Sequence, residues 1–285
     1  MSPMAGPLWR VREQVFDCSE RTLVMGIVNV TPDSFSDGGR FFGSVYAVRH
    51  AQQLVADGAD IIDVGGESTR PGSEPVDADE ELGRVLPVIR RLVDEVPGVV
   101  ISIDTRKAEV AAAAMGEGAS IVNDVSGGRD PRMFDVVRQT GGSLALMHMK
   151  GDPKTMQDAP MYEDVVTEVH EFLRERVEAA AFAGIDPERI VIDPGIGFGK
   201  DLEDNLMLMR RIQAFLDLAR PVLVGPSRKR FIGTILDLPE DQRAEGTVGA
   251  VCWMVSRGVH VVRVHDVRET SRAVRVINAI MHQGG

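Results

Sequence analysis

Residues 24–39 have the sequence Val-Met-Gly-Ile-Val-Asn-Val-Thr-Pro-Asp-Ser-Phe-Ser-Asp-Gly-Gly. The first half is apolar and rich in β-branched residues, as is typical of a buried strand. A proline cannot donate a ladder hydrogen bond, so Pro32 predicts that the strand ends near Asn29. The polar second half ends in Asp-Gly-Gly, which is typical of a loop. Asn29 and Asp33 therefore lie where a strand becomes a loop, and polar groups in that position are candidate contacts for a ligand or a metal ion.

The same arrangement recurs along the chain, because seven further apolar runs precede polar loops and helical segments. These runs predict strands at residues 59–66, 99–103, 121–122, 144–149, 190–195, 221–224 and 259–264. Apolar residues at helical spacing predict helices at about 45–57, 78–96, 107–116, 132–140, 162–183, 203–217 and 268–282. A further helical segment follows the strand at 221–224, breaks near Pro239 and ends near Arg257.

Eight β-then-α units follow one another without a dividing linker. Continuous apolar strands that alternate with helices predict a parallel sheet covered on both faces. Eight units in about 250 residues predict a single (β/α)8 TIM barrel of the α/β class. The alternative is a doubly wound open sheet, but no G-x-G-x-x-G motif opens a helix after the first strand. We expect residues 1–20 to form a lead-in with a possible capping hairpin over 9–22, and residues 21–285 to form the catalytic domain.

Composition restricts the function classes. The chain has 285 residues, of which 44% are hydrophobic and 26% are charged, as in ordinary globular proteins. A net charge of −11 argues against nucleic-acid or anionic-membrane partners, although a local basic pocket can still bind a small anion. Cys18 and Cys252 have no metal or redox spacing, and neither a signal peptide nor a membrane span is visible. We therefore expect a cytoplasmic protein.

Polar side chains occur at the end of every predicted strand, which is where a (β/α)8 barrel places its active site. They are Asn29, Asp63, Thr69, Arg70, Asp104, Asn123, His148, Asp193, Ser227, Lys229, Arg263 and His265. Asp104, Asn123 and Asp193 offer acceptors and an amide that suit the edge of a flat heterocycle. Asn29, Arg70, Lys229, Arg263 and His265 form a second set whose cations suit phosphate oxygens. Asn29 with Asp33 could hold Mg²⁺, which prefers a few oxygen ligands plus substrate phosphates. A site for a heterocycle beside a site for an anion predicts that the ligand is a heterocycle that carries a phosphate group.

Each of these residues also has an ordinary structural interpretation. A single strand-end aspartate is more often a helix cap than a ligand, and we assign that role to Asp63 and Asp124. A single histidine is more often structural, which applies to His148 and His265. The charged run 228–230 could be a solvated surface, and Met147 and Met149 are typical of a core. The concentration of polar groups on one barrel rim nevertheless favours a binding site.

Eight segments together resemble the dihydropteroate synthase family in order and spacing. They are residues 26–39, 63–72, 102–105, 123–127, 147–151, 193–200, 227–229 and 263–266. The resemblance extends from about residue 20 to the end of the chain. It implies an enzyme that joins 6-hydroxymethyl-7,8-dihydropterin diphosphate to 4-aminobenzoate, giving 7,8-dihydropteroate and pyrophosphate.

The resemblance also implies roles for individual residues. The implied pterin contacts are Asp104, Asn123, Asp193, Lys229 and Met147. The implied diphosphate contacts are Thr69, Arg70, Arg263 and His265, and the implied aminobenzoate contacts are Phe35, Pro71, Phe198, Ser227 and Lys229. The implied catalytic residues are Lys229, Arg70, Arg263 and His265. Asn29 with Asp33 would bind the implied Mg²⁺ cofactor, and the late helices would form the implied homodimer.

Charge considerations suggest how such a reaction proceeds. When the C–O bond breaks, pyrophosphate leaves with the electrons, and cations can stabilise it. The electron-rich pterin can share the positive charge left on its exocyclic carbon, which favours a dissociative, SN1-like step. The alternatives are a pterin-binding methyltransferase-type barrel and a non-catalytic pterin-binding paralogue.

Overall fold

The structure is a computed structural model that describes residues 7–31, 39–68, 72–152, 156 and 160–282. Among these residues, eight strands form one parallel sheet: β3 (Leu23–Asn29), β4 (Ile61–Gly65), β5 (Val100–Asp104), β6 (Ile121–Asp124), β7 (Ser143–Met147), β8 (Ile190–Asp193), β9 (Leu223–Val224) and β10 (Val261–Val264). Their order in the sheet is β8-β7-β6-β5-β4-β3-β10-β9. A parallel bridge between Ile192 and Val222 joins the two ends of the sheet. The predicted TIM barrel is therefore confirmed.

Nine α-helices lie among the described residues and surround the barrel. They are α1 (Gly39–Ala56), α2 (Ala78–Glu95), α3 (Ala108–Gly116), α4 (Met133–Thr140), α5 (Val165–Phe182), α6 (Leu202–Arg210), α7 (Arg230–Leu236), α8 (Ala244–Val255) and α9 (Val267–His282). Helix α2 shows why such segments fold locally. The Asp77 carboxylate caps it by accepting from the Glu80 backbone N–H at 2.8 Å, and acidic residues fill its first turn.

The predicted N-terminal hairpin is also confirmed, although its strands occupy residues 8–17 where the sequence predicted a hairpin over 9–22. Strands β1 (Leu8–Val11) and β2 (Gln14–Asp17) pair antiparallel. Trp9 and Val11 are buried in the same apolar cluster as one residue or more from each barrel strand, so the hairpin closes the amino-terminal end of the barrel.

The predicted continuous helix over 203–217 is wrong in its second half. Helix α6 ends at Arg210, and a 3₁₀ helix covers Ile212–Leu218. In a 3₁₀ helix, residues three apart share one side, and this tighter turn buries both Ile212 and Phe215. Hydrophobic spacing over so few residues does not separate the two helix types.

Side-chain alternation explains how the strands build a site. Barrel-interior residues form an apolar layer that includes Met25, Ile61, Val100, Ile121, Ala145, Val191, Leu223 and Val261. Because strand side chains repeat with period two, the next interior layer toward the carboxyl ends is Ile27, Asp63, Ser102, Asn123, Met147, Asp193, Gly225 and Arg263. A mostly polar layer thus lies directly on an apolar one.

Among the described residues, no helix combines the length and apolar character that spanning a bilayer requires.

Candidate active site

Arg263 connects the polar groups at the base of the site. Its Nε donates to Asp63 Oδ2 at 2.6 Å, and its Nη2 donates to Asp104 Oδ2 at 2.6 Å. Asn123 Nδ2 also donates to Asp63 Oδ2, at 3.1 Å. Within the described residues, the second oxygen of each carboxylate has no hydrogen-bond partner. Arg263 thus occupies one oxygen of each carboxylate, and the other oxygen of each carboxylate remains available to accept a hydrogen bond.

The electrostatics of this cluster follow from burial. Burial raises the pKa of Asp104 to about 7; the charge of Arg263 opposes that rise and the charge of Asp63 adds to it. Burial alone would lower the pKa of Arg263, but Asp63 and Asp104 together raise it. The guanidinium therefore stays charged between two acids.

Asn123 has a fixed orientation because of Asp63. A carboxylate only accepts hydrogen bonds, so the Asn123 amide must turn its NH₂ group toward Asp63. The carbonyl oxygen of Asn123 then points away from Asp63 and is available as an acceptor. Asp63 therefore sets the hydrogen-bonding character of Asn123.

Asp193 lies at the end of β8 and faces Lys229. One oxygen of Asp193 accepts from the Gly195 backbone N–H at 2.7 Å. Burial raises the pKa of Asp193, and the nearby cations, including Lys229, oppose that rise. Burial lowers the pKa of Lys229 to about 7, although Asp193 favours its charged form.

The loop 194–200 holds the Lys229 side chain. Lys229 Nζ donates to the Ile196 carbonyl and lies 4.0 Å from the centre of the Phe198 ring. Gly197 has a φ of 82°, and a Cβ there would come within 2.6 Å of Lys229 Cδ. Glycine is thus required both for the backbone conformation and for the close approach of the lysine stem.

Ser227 and His265 form a connected pair at the rim. Ser227 Oγ lies 2.9 Å from His265 Nδ1 and accepts from the His265 backbone N–H at 3.0 Å. The next residue, Arg228, does not face solvent freely, since its Nε donates to Asp266 at 3.0 Å. The interpretation of 228–230 as a solvated charge run is wrong for Arg228 and for Lys229, because both are held by neighbouring groups.

A cavity of about 1090 Å³ opens above these groups. Its lining includes Asn29, Phe198, Lys200, Ser227, Lys229, Arg263 and His265. Asp104, Asn123 and Asp193 do not line it and are at most 6% exposed. The acceptor groups thus lie beneath the cavity, with Arg263 and Lys229 at its floor.

Asn29 is the described residue of the predicted metal pair. It lines the cavity, and its Oδ1 and Asp104 Oδ2 lie on the same side of Gly65, each within 4 Å of the position a Cβ would take. Among the described residues, no group of three or more His, Cys, Asp or Glu could enclose a metal ion. Mg²⁺ commonly takes few protein ligands and completes its shell with phosphate and water, so the amide oxygen of the cavity-lining Asn29 fits as one such ligand.

Five predicted contacts lie outside the described residues: Asp33, Phe35, Thr69, Arg70 and Pro71. The described residues just before position 69 are firmly held. Glu67 pairs with Arg106 at 2.9 Å and with Lys107, which also pairs with the fully buried Glu81. Arg84 donates to the Gly66 carbonyl at 2.6 Å.

The helix-cap interpretation of Asp63 is wrong. Asp63 lies within β4, is fully buried, and pairs with Arg263. Its period-two relation to Ile61 was the sequence signal for an inward side chain. Asp124 caps a turn and not a helix, since it accepts from the backbone N–H groups of Ser126 and Gly128, both at 2.8 Å.

His148 and Met147 have structural surroundings. His148 is buried with its ring edge-on to Phe172 at 4.9 Å. Met147 packs in an apolar cluster with Val125, Met149, Met156 and Phe198. Sequence reasoning missed Lys200, a buried lysine that is among the residues lining the cavity.

Comparison with known proteins gives the class of this chain. The profile of the family described as "Pterin binding enzyme" matches residues 25–265. The chain, a (β/α)8 barrel with buried acceptors and cations at its carboxyl-terminal end, therefore belongs to the class of pterin-binding enzymes.

Relatives narrow the class to one family. The chain is 48% identical to dihydropteroate synthase of Bacillus subtilis, over 93% of this chain and 91% of that one, and 45% identical to that of Escherichia coli, over 90% and 91%. A Xanthomonas albilineans dihydropteroate synthase solved with 4-aminobenzoic acid has a TM-score of 0.91 and 46% identity, covering 97% of this chain and 99% of that one. The same enzyme solved with 7,8-dihydropteroate has a TM-score of 0.87 and 43% identity, with coverage of 97% and 99%. The chain belongs to the dihydropteroate synthase family, and it is a transferase with that activity.

Proposed function

We propose that this chain joins 6-hydroxymethyl-7,8-dihydropterin diphosphate to 4-aminobenzoate, forming 7,8-dihydropteroate and pyrophosphate in folate biosynthesis. The observation that carries the proposal is one cavity with buried acceptors beneath it and cations at its floor and rim. Support comes from the X. albilineans relatives that bind 4-aminobenzoic acid and 7,8-dihydropteroate.

The buried acceptors suit the pterin. Asp104, Asn123 and Asp193 offer oxygens to the ring N–H and amino groups, and Met147 supplies an apolar wall. Because Arg263 lines the cavity and already donates to Asp104 Oδ2, the pterin would either displace Arg263 from that oxygen or bind the unpaired Oδ1. Asp63 would keep Arg263 in place while Asp104 turns to the pterin.

The cations suit the diphosphate. Arg263 and His265, with Thr69 and Arg70, would stabilise the negative charge that grows as the C–O bond breaks. The Ser227 contact orients the His265 ring toward this task.

The arylamine would bind on the outer side of the pterin. The Phe198 ring offers a flat surface beside Lys229, and Phe35, Pro71 and Ser227 complete the proposed subsite. The aromatic amine is neutral near pH 7, so its nitrogen lone pair can attack the exocyclic carbon directly. The C–O electrons leave with pyrophosphate, the C–N bond forms, and the amine proton passes to solvent or pyrophosphate.

We propose a dissociative order for these steps, because the electron-rich pterin shares the charge of the carbocation. Mg²⁺ held by Asn29, with Asp33, and by the diphosphate would add positive charge beside the leaving group. Exclusion of water protects the cation, and a closed site serves that purpose.

Pyrophosphate release tests the proposed function. Purified protein is incubated with dihydropterin diphosphate, with and without 4-aminobenzoate and with and without Mg²⁺. Release that needs all three components is the expected result. Pterin binding without release would instead indicate a methyltransferase-type or non-catalytic protein.

The pH dependence of kcat/KM for the pterin should be bell-shaped around pH 7. Asp104 becomes an acceptor carboxylate above its raised pKa of about 7, which gives the acid limb. Lys229 loses its ammonium charge above its lowered pKa of about 7, which gives the basic limb. Since kcat/KM reports groups of the free enzyme, both limbs should appear in that parameter.

The variant Lys229→Arg provides the control for this pH profile. A guanidinium stays charged throughout the range, so the basic limb should disappear and the acid limb should remain. An unchanged basic limb in this variant would assign it to another group, such as the substrate.

We also propose a homodimer in the cytoplasm, formed through helices α6 to α8. An apolar groove of about 430 Å³ lies there, lined by residues that include Leu206, Phe231, Ile235, Leu236 and Trp253. Ile235 is 55% exposed and Trp253 is 45% exposed, and the two lie together in this groove, where a contiguous apolar patch favours a protein contact.

A charge in this groove should separate the subunits. Ile235→Asp is expected to give a monomer by sedimentation velocity, because an ionised carboxylate resists burial in an apolar interface. Val276→Asp on α9 is the matched control, since Val276 is 60% exposed on a different helix, and it should remain dimeric. A dimer in both variants would contradict the proposed surface.

A further inference from the structure

We propose that Lys200 is a positioning residue for the arylamine: its side chain fixes the loop that carries Phe198, and thereby the ring surface beside Lys229. The inference rests on the proposed role of Phe198 in binding the arylamine.

Lys200 has unusual surroundings for a lysine. Its side chain is buried, and the hydrogen bonds described for its Nζ go to two backbone carbonyls and a histidine nitrogen, not to a carboxylate. Lysine is rarely buried without such a partner, because removing an ammonium from water is costly. Burial lowers the pKa of Lys200 to about 7, although Asp193 favours the charged form. A core that only needed packing would accept an apolar side chain at this position.

The acceptors of Lys200 connect two strand ends. Nζ donates to the Phe198 carbonyl at 2.9 Å and to the His148 carbonyl at 3.4 Å, and it lies 3.0 Å from His148 Nδ1. Burial lowers the pKa of His148 to about 2, so its ring is neutral and Nδ1 accepts from the lysine. Since His148 follows β7 and Phe198 follows β8, Lys200 joins the two loops.

Other contacts fix the loop's backbone at different points. Asn205 accepts from the Gly197 N–H at 2.6 Å and donates to the Lys200 carbonyl at 3.2 Å, and Tyr162 donates to the Gly199 carbonyl at 2.7 Å. These contacts hold both sides of Phe198, while Lys200 acts on the Phe198 carbonyl itself. Loss of the lysine should therefore let the ring shift without unfolding the loop.

The consequence for catalysis is specific to one substrate. Two of the proposed pterin acceptors, Asp104 and Asn123, belong to the cluster around Arg263, and among the described residues neither shares a hydrogen bond with Lys200. The third, Asp193, interacts with Lys200 through charge, which opposes the rise in the pKa of Asp193. The Phe198 ring, by contrast, lies against the Lys229 ammonium at the proposed arylamine subsite. Removing Lys200 should therefore weaken arylamine binding more than pterin binding.

Two variants and one control test this inference. Lys200→Met keeps the stem and loses every donor, whereas Lys200→Gln keeps an NH₂ donor without the charge. Lys150→Met is the control, because Lys150 is a half-exposed lysine whose Nζ donates to the Met161 carbonyl and pairs with Glu168, so its loss leaves the Lys200 contact to the Phe198 carbonyl in place. The assays measure KM for 4-aminobenzoate, the dissociation constant of the pterin diphosphate, and thermal unfolding.

We expect KM for 4-aminobenzoate to rise about 30-fold in Lys200→Met and about 5-fold in Lys200→Gln, because small displacements of a positioning group have large effects. Pterin affinity should change less than about 3-fold, and Lys150→Met should match the wild type. If Lys200→Met does not fold, the rise in Lys200→Gln decides the question.

An unchanged KM in the folded variants, or equal losses for both substrates, would overturn the inference. A wild-type protein that makes no dihydropteroate would overturn the proposed function and this inference with it. Product formation with an unchanged KM would overturn the inference alone.

Discussion

Replacement of Lys229 by methionine is expected to lower kcat/KM for dihydropterin diphosphate by about 100- to 1000-fold, the usual effect of losing one preorganised charged donor. The ammonium faces the Asp193 side chain, contacts the Ile196 carbonyl, and lies on the Phe198 ring. It therefore adjoins both the proposed pterin and arylamine subsites. Methionine keeps the packing of the stem against Gly197 and removes only the charge and its hydrogen bonds.

Steady-state kinetics and pterin binding check this prediction together. Removing the Lys229 ammonium removes its own desolvation cost but leaves the buried Asp193 carboxylate with one cation fewer, so the melting temperature should fall, and measuring it separates lost stability from lost catalysis. Lys150→Met is the control for the loss of a lysine elsewhere on the same side of the barrel. A kcat/KM within about 3-fold of wild type would exclude Lys229 from the site.

The fold was predictable because it depends on local patterns that repeat. Apolar runs such as the one before Asn29 predict strands. Eight such strands that alternate with helices are compatible with only a few folds. Strand ends meet at one end of a parallel barrel, so Asp104, Asn123 and Asp193 could be placed together from sequence. Their roles toward a ligand remain proposals.

The pairings within the site were not predictable, because they join residues far apart in the chain. Asp63 and Arg263 are separated by 200 positions, and their contact follows only from barrel closure between β3, β4 and β10. An aspartate that follows apolar strand residues is typical of a helix cap. Only the period-two spacing from Ile61, which directs the Asp63 side chain into the barrel, distinguishes Asp63 from such a cap. Lys200 was missed for a related reason, since a lysine next to glycine in a loop is usually solvated.

Replacement of Asp63 by asparagine is expected to lower kcat/KM by about 100-fold while the protein stays folded. Asparagine has nearly the same shape but offers one neutral acceptor and one donor. Arg263 then keeps only Asp104 as a charged partner, so the pterin must compete with the guanidinium for that carboxylate. The Asn123 amide also loses the group that fixes its orientation.

The two effects of Asp63→Asn have separate readouts. Competition for Asp104 should raise the dissociation constant of the pterin, and displacement of Arg263 should lower kcat through weaker stabilisation of the leaving pyrophosphate. Asp57→Asn is the matched control, because Asp57 follows α1 and pairs with Arg268 in the first turn of α9 at 2.8 Å, and neither residue lines the cavity. It should retain wild-type kinetics. Alanine is the wrong probe at position 63, since it also removes the neutral oxygen that asparagine still offers to Arg263 and leaves a cavity beside a partly buried charge, at a cost of about 3–5 kcal/mol of stability. If Asp63→Asn binds pterin and turns over like wild type, Asp104 alone holds Arg263, and Asp63 serves only the stability of the barrel.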